Sequence, residues 1–259
     1  MDTIPQSEAE KNHMNPKPTN QTTITYEIKK RKNAIHPINT RIQDLRKQSI
    51  DTPITISPER AQLITQYYQQ HQNKTTPPPI TRALAFKHLM EHISLPIEPN
   101  QLIIGIRGTG PKEVPTYPEI CCHTTDDLKT LNTREKNPYH IQPTTKKLYE
   151  KEIIPYWQTK TIQQQIFKKM KPQWHDAYTS GIFTEFMEQR VPGHTAGGSR
   201  IFNTGLQDIK NKLKQITPQT SQQKNEQRAM EIVADALIHY AHRYAEKLNA
   251  IAKNETNKT

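Results

Sequence analysis

The chain has 259 residues, of which only 32% are hydrophobic (AVILMFWYC), and a formal net charge of +11. That apolar share lies well below the roughly 45–50% of an ordinary globular domain, so part of the chain is expected to be solvated tail or linker, or to bury apolar faces only against a partner. Its two cysteines, Cys121 and Cys122, are adjacent, which excludes a disulfide-stapled secreted scaffold. With no apolar signal segment at the start and no run near the ~20 apolar residues of a membrane span, a cytoplasmic protein without membrane contact is expected.

Residues 1–38 are polar and rich in Pro, Thr and Asn, and read as a disordered tail. The run Lys29-Lys30-Arg31-Lys32 within it suits a polyanion, although a solvated basic tail is the commoner reason for such a run. A domain is expected over 39–252, with a second short tail at 253–259. TRIQDLRKQS, 40–49, sets Ile42 and Leu45 on one face of a short helix. Ser57 as a cap and Pro58 in the first turn then introduce the helix ERAQLITQYYQQ.

Three prolines, Pro77 to Pro79, precede the helical pattern TRALAFKHLMEHI. QLIIGI, 101–106, is short and β-branched, and reads as a buried strand. A long loop punctuated by Pro and Gly follows, and helices are expected to restart at Thr125 and to cover 145–149, 159–170 and 176–189. A linker over about 216–225 leads into EQRAMEIVADALIHYAHRYAEKLNAIA. There Met230, Val233, Ala234, Leu237, Tyr240 and Tyr244 form one stripe. The fold class is mainly α with minimal β.

Several motifs fail on spacing. GIRGTGPK lacks the GxxxxGK[ST] of a phosphate loop, because Pro111 separates Gly110 from Lys112 and Glu113 stands where the hydroxyl belongs. Cys121-Cys122-His123 has no second ligand pair, so no metal site is expected. No GxSxG elbow is present, and Glu185 and Glu188, one turn apart, read as a solvated face.

GIFTEFMEQRVPGHT carries the most information. Phe183, Phe186, Met187 and Arg190 fall on one helical stripe, Pro192 stops it, Gly193 permits a sharp exit, and His194 stands on the turn beside the apolar face. On the residues alone, core packing is the simpler reading and the wall of a pocket the sharper one.

PTYPEICCHT followed by DDL, EIIPYW, and FTEFMEQRVPGHT together resemble the N-terminal part of the glycyl radical enzymes, a pyruvate formate-lyase-like family, and within it the hydroxyproline dehydratase type. ISPERAQLITQYY, RALAFKHLMEH and QLIIG extend the resemblance upstream in the same order, so that it runs from about residue 40 to 252. The resemblance implies the N-terminal helical segment of an α/β barrel enzyme, with the barrel core largely missing. In that family a glycyl radical, installed by a radical-SAM activase, generates a thiyl radical that abstracts a substrate hydrogen before water or another group leaves.

The blocks matched here include neither the thiyl cysteine nor the radical glycine. Cys121 and Cys122 match a pair in the N-terminal helical region. Gly193 lies in the RxPGHT block and is not a radical site. No catalytic residue is therefore expected in this chain; the resemblance implies substrate-binding roles for Phe186, against a substrate ring, and His194, toward a polar group. The chain is then expected to be either one half of a split enzyme, with a complementing C-terminal chain carrying the glycyl radical and no cofactor in this chain, or a truncated, non-catalytic remnant. The alternative is a non-catalytic basic helical protein that uses Lys29–Lys32, Lys146-Lys147 and Lys168-Lys169 against nucleic acid or an acidic partner.

Overall fold

A computed structural model describes residues 40–72, 75–98, 101–182, 199 and 203–254. The chain separates into two units, residues 1–51 and 52–259. Of the first, the described residues 40–51 are helical (α1), with Ile42 and Leu45 both exposed.

The second unit is built mainly of helices. A short parallel sheet pairs β1 (Thr55–Ser57) with β2 (Glu113–Pro115), in the register Thr55 to Glu113, Ile56 to Val114 and Ser57 to Pro115. The crossover between the strands carries α2 (Glu59–Gln70) and α3 (Pro78–His92). Pro58 itself occupies the cap position of α2, and Ser57, expected as the cap, is a strand residue whose hydroxyl faces that of Thr109 at 3.4 Å.

The strand expected at 101–106 is absent. These residues take no regular structure; Leu102 and Ile103 are 79% and 85% exposed, and Gly105, at φ +101°, breaks the extended run. The strand lies further on, at β2, after the loop that invited the phosphate reading. That loop folds on itself: a Cβ at Gly108 would lie 2.5 Å from the Glu113 carbonyl oxygen, and the Glu113 carboxylate accepts from the Thr109 N–H at 3.0 Å.

Beyond β2, α4 (Thr125–Thr133) starts on a capping box in which Thr124 and Asp127 satisfy each other's backbone N–H groups. α5 (Pro143–Leu148) widens into a π-turn (Tyr149–Ile153) before α6 (Ile154–Trp157). Pro155 has no N–H to continue the ladder, and the Ile154 N–H bonds the Tyr149 carbonyl five residues back. The wider turn carries Tyr149 and Ile153 into the core, at 1% and 0% exposure. They meet Ile56, Ala61, Leu89 and Leu128 there.

α7 (Ile162–Lys169) and α8 (Pro172–Thr179) follow, then α9 (Leu206–Lys214) and the long α10 (Ser221–Asn254), which begins inside the stretch expected as linker. α10 lies along α3, and Ala83 and Ala229 let the helices approach beside Ile232. The buried face of α10 therefore runs through Ala229, Ile232, Ala236 and Tyr244. Met230, expected in the stripe, is half exposed. Arg243 donates to the Met90 and Ile93 carbonyls and Lys247 to the Leu95 carbonyl, so cations of α10 satisfy the C-terminal end of α3.

Candidate functional site

Three stretches far apart in sequence converge beside the sheet. Arg60, one residue into α2, donates from Nη1 to the Thr116 carbonyl at 3.0 Å and to Glu119 Oε2 at 3.1 Å, and from Nη2 to Glu119 Oε1. The Tyr117 ring lies 3.9 Å from the Arg60 guanidinium carbon, and the two charged side chains are only 15% and 20% exposed. The Thr116 and Tyr149 hydroxyls bond each other. Burial pushes the Tyr149 phenol up to about 12, partly offset by that bond. At the end of α6, Trp157 Nε1 donates to the Thr65 hydroxyl at 2.8 Å, which in turn donates to the Ala61 carbonyl at 2.6 Å.

Above this cluster opens a groove of about 540 Å³ with Ile64, Tyr68, Phe86 and Trp157 among its walls, and Arg82 and Lys160 on exposed positions. Such a lining can seat an apolar group beside an anion. Lys160 Nζ lies 3.8 Å from the centre of the Tyr156 ring. On the other side of α3, Tyr67 stacks on His71 at 4.1 Å and approaches His88 at 5.5 Å; His88 meets His92 at 4.2 Å. Burial, then the neighbouring His92, lowers the His88 pKa.

The Cys122 thiol is not poised for chemistry. Burial, followed by Cys121 and Asp127, pushes the Cys122 thiol up to about 12, and Cys121 Sγ faces Gln163 Oε1 at 3.3 Å. Burial likewise lowers the pKa of His123. Among the described residues, no group of three or more His, Cys, Asp or Glu side chains could hold a metal ion.

Phe186 and His194 lie outside the described residues. The helix expected over 176–189 is cut before them. α8 starts earlier, at Pro172, and ends at Thr179 on a glycine C-cap: Gly181, at φ +74°, donates to the Tyr178 carbonyl and Ile182 to the Ala177 carbonyl, each at 3.0 Å.

Arg60, Tyr117 and Glu119 went unnoticed as functional candidates. They lie in two of the stretches that carry the resemblance, ISPERAQLITQYY and PTYPEICCHT, but no local spacing joins an arginine to a carboxylate 59 residues away.

A mainly helical unit closed by a two-stranded parallel sheet, with these blocks at its centre, is the architecture of the N-terminal portion of glycyl radical enzymes. The family model described as pyruvate formate lyase-like matches residues 29–259, and the chain belongs to that family. It is 39% identical over 225 residues to trans-4-hydroxy-L-proline dehydratase of Clostridioides difficile, covering 84% of this chain and 28% of that enzyme. The crystal structure of the hydroxyproline dehydratase from that organism, with trans-4-hydroxy-L-proline bound, matches with a TM-score of 0.76 over the same shares of the two chains. The (2S)-3-sulfopropanediol dehydratase of Klebsiella oxytoca is 26% identical over 231 residues, covering 84% of this chain and 28% of the relative. The chain thus spans little more than a quarter of the length of these relatives. No helix among the described residues is long and apolar enough to cross a membrane.

Proposed function

We propose that this chain forms the N-terminal helical layer, and part of the substrate pocket, of a glycyl radical lyase that removes water from trans-4-hydroxy-L-proline or a close analogue. The observation that carries this reading is the 39% identity, over 84% of the chain, to an enzyme named for that reaction. The glycyl radical, with the thiyl cysteine it serves, supplies the hydrogen abstraction, and both belong to polypeptide beyond the blocks matched here. This chain is not catalytic alone.

Its own contribution is binding. Phe186 would offer its ring to the saturated ring of the substrate, and His194 a hydrogen bond to a polar substituent. The Arg60–Glu119 pair and the Tyr149–Thr116 bond hold α2 and the π-turn against the segment that leaves β2.

The test is anaerobic purification of the protein, followed by mass spectrometry of the intact assembly. The reading expects these residues in stoichiometric association, by covalent continuity or by binding, with polypeptide that carries the thiyl cysteine and the radical glycine, and with a radical-SAM activase acting on it. Recovery with nucleic acid alone would favour the basic binding protein instead.

A further inference from the structure

The segment QLIIGI contradicts its own composition. Residues 102–106 hold three isoleucines and a leucine, a composition suited to a buried strand, yet Leu102 and Ile103 are almost wholly exposed. Among the described residues, the main chain of 102–106 makes no hydrogen bond. Gly105 has nothing within 4 Å of the place a Cβ would take. A short, β-branched segment whose backbone is unpaired and whose Leu102 and Ile103 side chains face water is a template for strand pairing.

We propose that residues 101–106 form a strand completed by an extended strand of the polypeptide that carries the rest of the enzyme, a proposal that rests on the function proposed above. That occupant is favoured over a second copy of this chain because the relatives it matches extend well beyond the matched region, which is 28% of their length. The pairing strand contributes main-chain donors and acceptors to Leu102, Ile103 and Ile104, and an apolar surface for the side chains that now face water. The site is thus an assembly site, distinct in position from the Arg60–Glu119 cluster.

Hydrogen exchange read by mass spectrometry, on this chain alone and on the anaerobically purified assembly, tests the pairing. Amides of 102–106 should exchange freely in the chain alone and slow at least about tenfold on assembly. Ile103→Pro, which removes a ladder donor where the chain itself uses none, should leave the melting temperature of the isolated chain unchanged and reduce assembly by about tenfold or more. Assembly with no gain of protection at 102–106 would overturn the strand proposal and leave the enzymatic reading standing. Absence of any completing polypeptide would overturn both. Protection already present in the isolated chain, or a homodimer lost in Ile103→Pro, would overturn the proposal in favour of pairing within or between copies of this chain.

Discussion

Arg60 and Glu119, 59 residues apart in sequence, form a two-pronged ion pair in which both guanidinium nitrogens meet both carboxylate oxygens, with Tyr117 packed on the open face of the arginine. The pair ties the start of α2 to the segment that leaves β2. Because both side chains are mostly shielded from water, removing one partner leaves a desolvated charge behind.

Glu119→Ala should therefore lower stability by roughly 3 kcal/mol in urea unfolding, more than a surface pair would. Arg60→Met combined with Glu119→Leu should recover much of that loss, because no charge remains to be desolvated. Equal losses in the single and double variants would contradict the account of the pair.

The Cys122 thiol, pushed up to about 12 chiefly by burial, should be almost entirely protonated at pH 8. Iodoacetamide labelling of Cys122, followed by mass spectrometry, should be slow in the folded chain and accelerate sharply on unfolding. Fast labelling of the native protein would contradict the burial described.

His88, which approaches Tyr67 of α2 from α3, makes that contact sensitive to acid. The folded-state pKa of His88 is lowered by burial and then by His92 and His71, against the opposing pull of Glu91, so its neutral form is the one the fold favours. A base with a depressed folded pKa contributes stability that is complete above its unfolded value near 6.5 and is lost as pH falls through the folded value. Thermal unfolding should show a decline below about pH 6.5 that is smaller in His88→Gln. A pH profile unchanged by that substitution would contradict the assignment.

Phe186→Ala and His194→Ala separate pocket from packing. As pocket residues, both should leave unfolding free energy within about 1 kcal/mol of the parent, while weakening substrate binding in the assembled enzyme. A loss of 3 kcal/mol or more for Phe186→Ala, the range of core truncations, would assign its ring to the interior.

Periodicity located α2 to the residue, because Pro58 and the Ala61, Ile64 and Tyr67 spacing agree there. The restart expected at Thr125 coincides with α4, whose Thr124 cap only the structure reveals. Periodicity failed where tertiary packing overrides local pattern. QLIIGI reads as buried because its apolar content is high, yet Leu102 and Ile103 face water in the fold. The stripe of α10 was centred on large residues such as Met230, whereas the close contact with α3 runs through Ala229 and Ala236. The helix expected through 189 overlooked that Gly181 is free to adopt the positive φ that ends α8. At the site, the sequence blocks were legible one by one. Their meeting, with Arg60 on Glu119 and Trp157 on Thr65, was not, because it depends on a crossover between two three-residue strands.

Turnover of trans-4-hydroxy-L-proline by the anaerobic assembly containing this chain, after treatment with a radical-SAM activase, tests the proposed function directly. The account predicts a glycyl radical signal in electron paramagnetic resonance and substrate-dependent loss of water, with turnover reduced in His194→Ala although the radical signal persists. An assembly that carries the radical but leaves this substrate and its close analogues untouched would contradict the assignment of substrate class. An assembly that forms no radical at all would contradict membership in a working lyase.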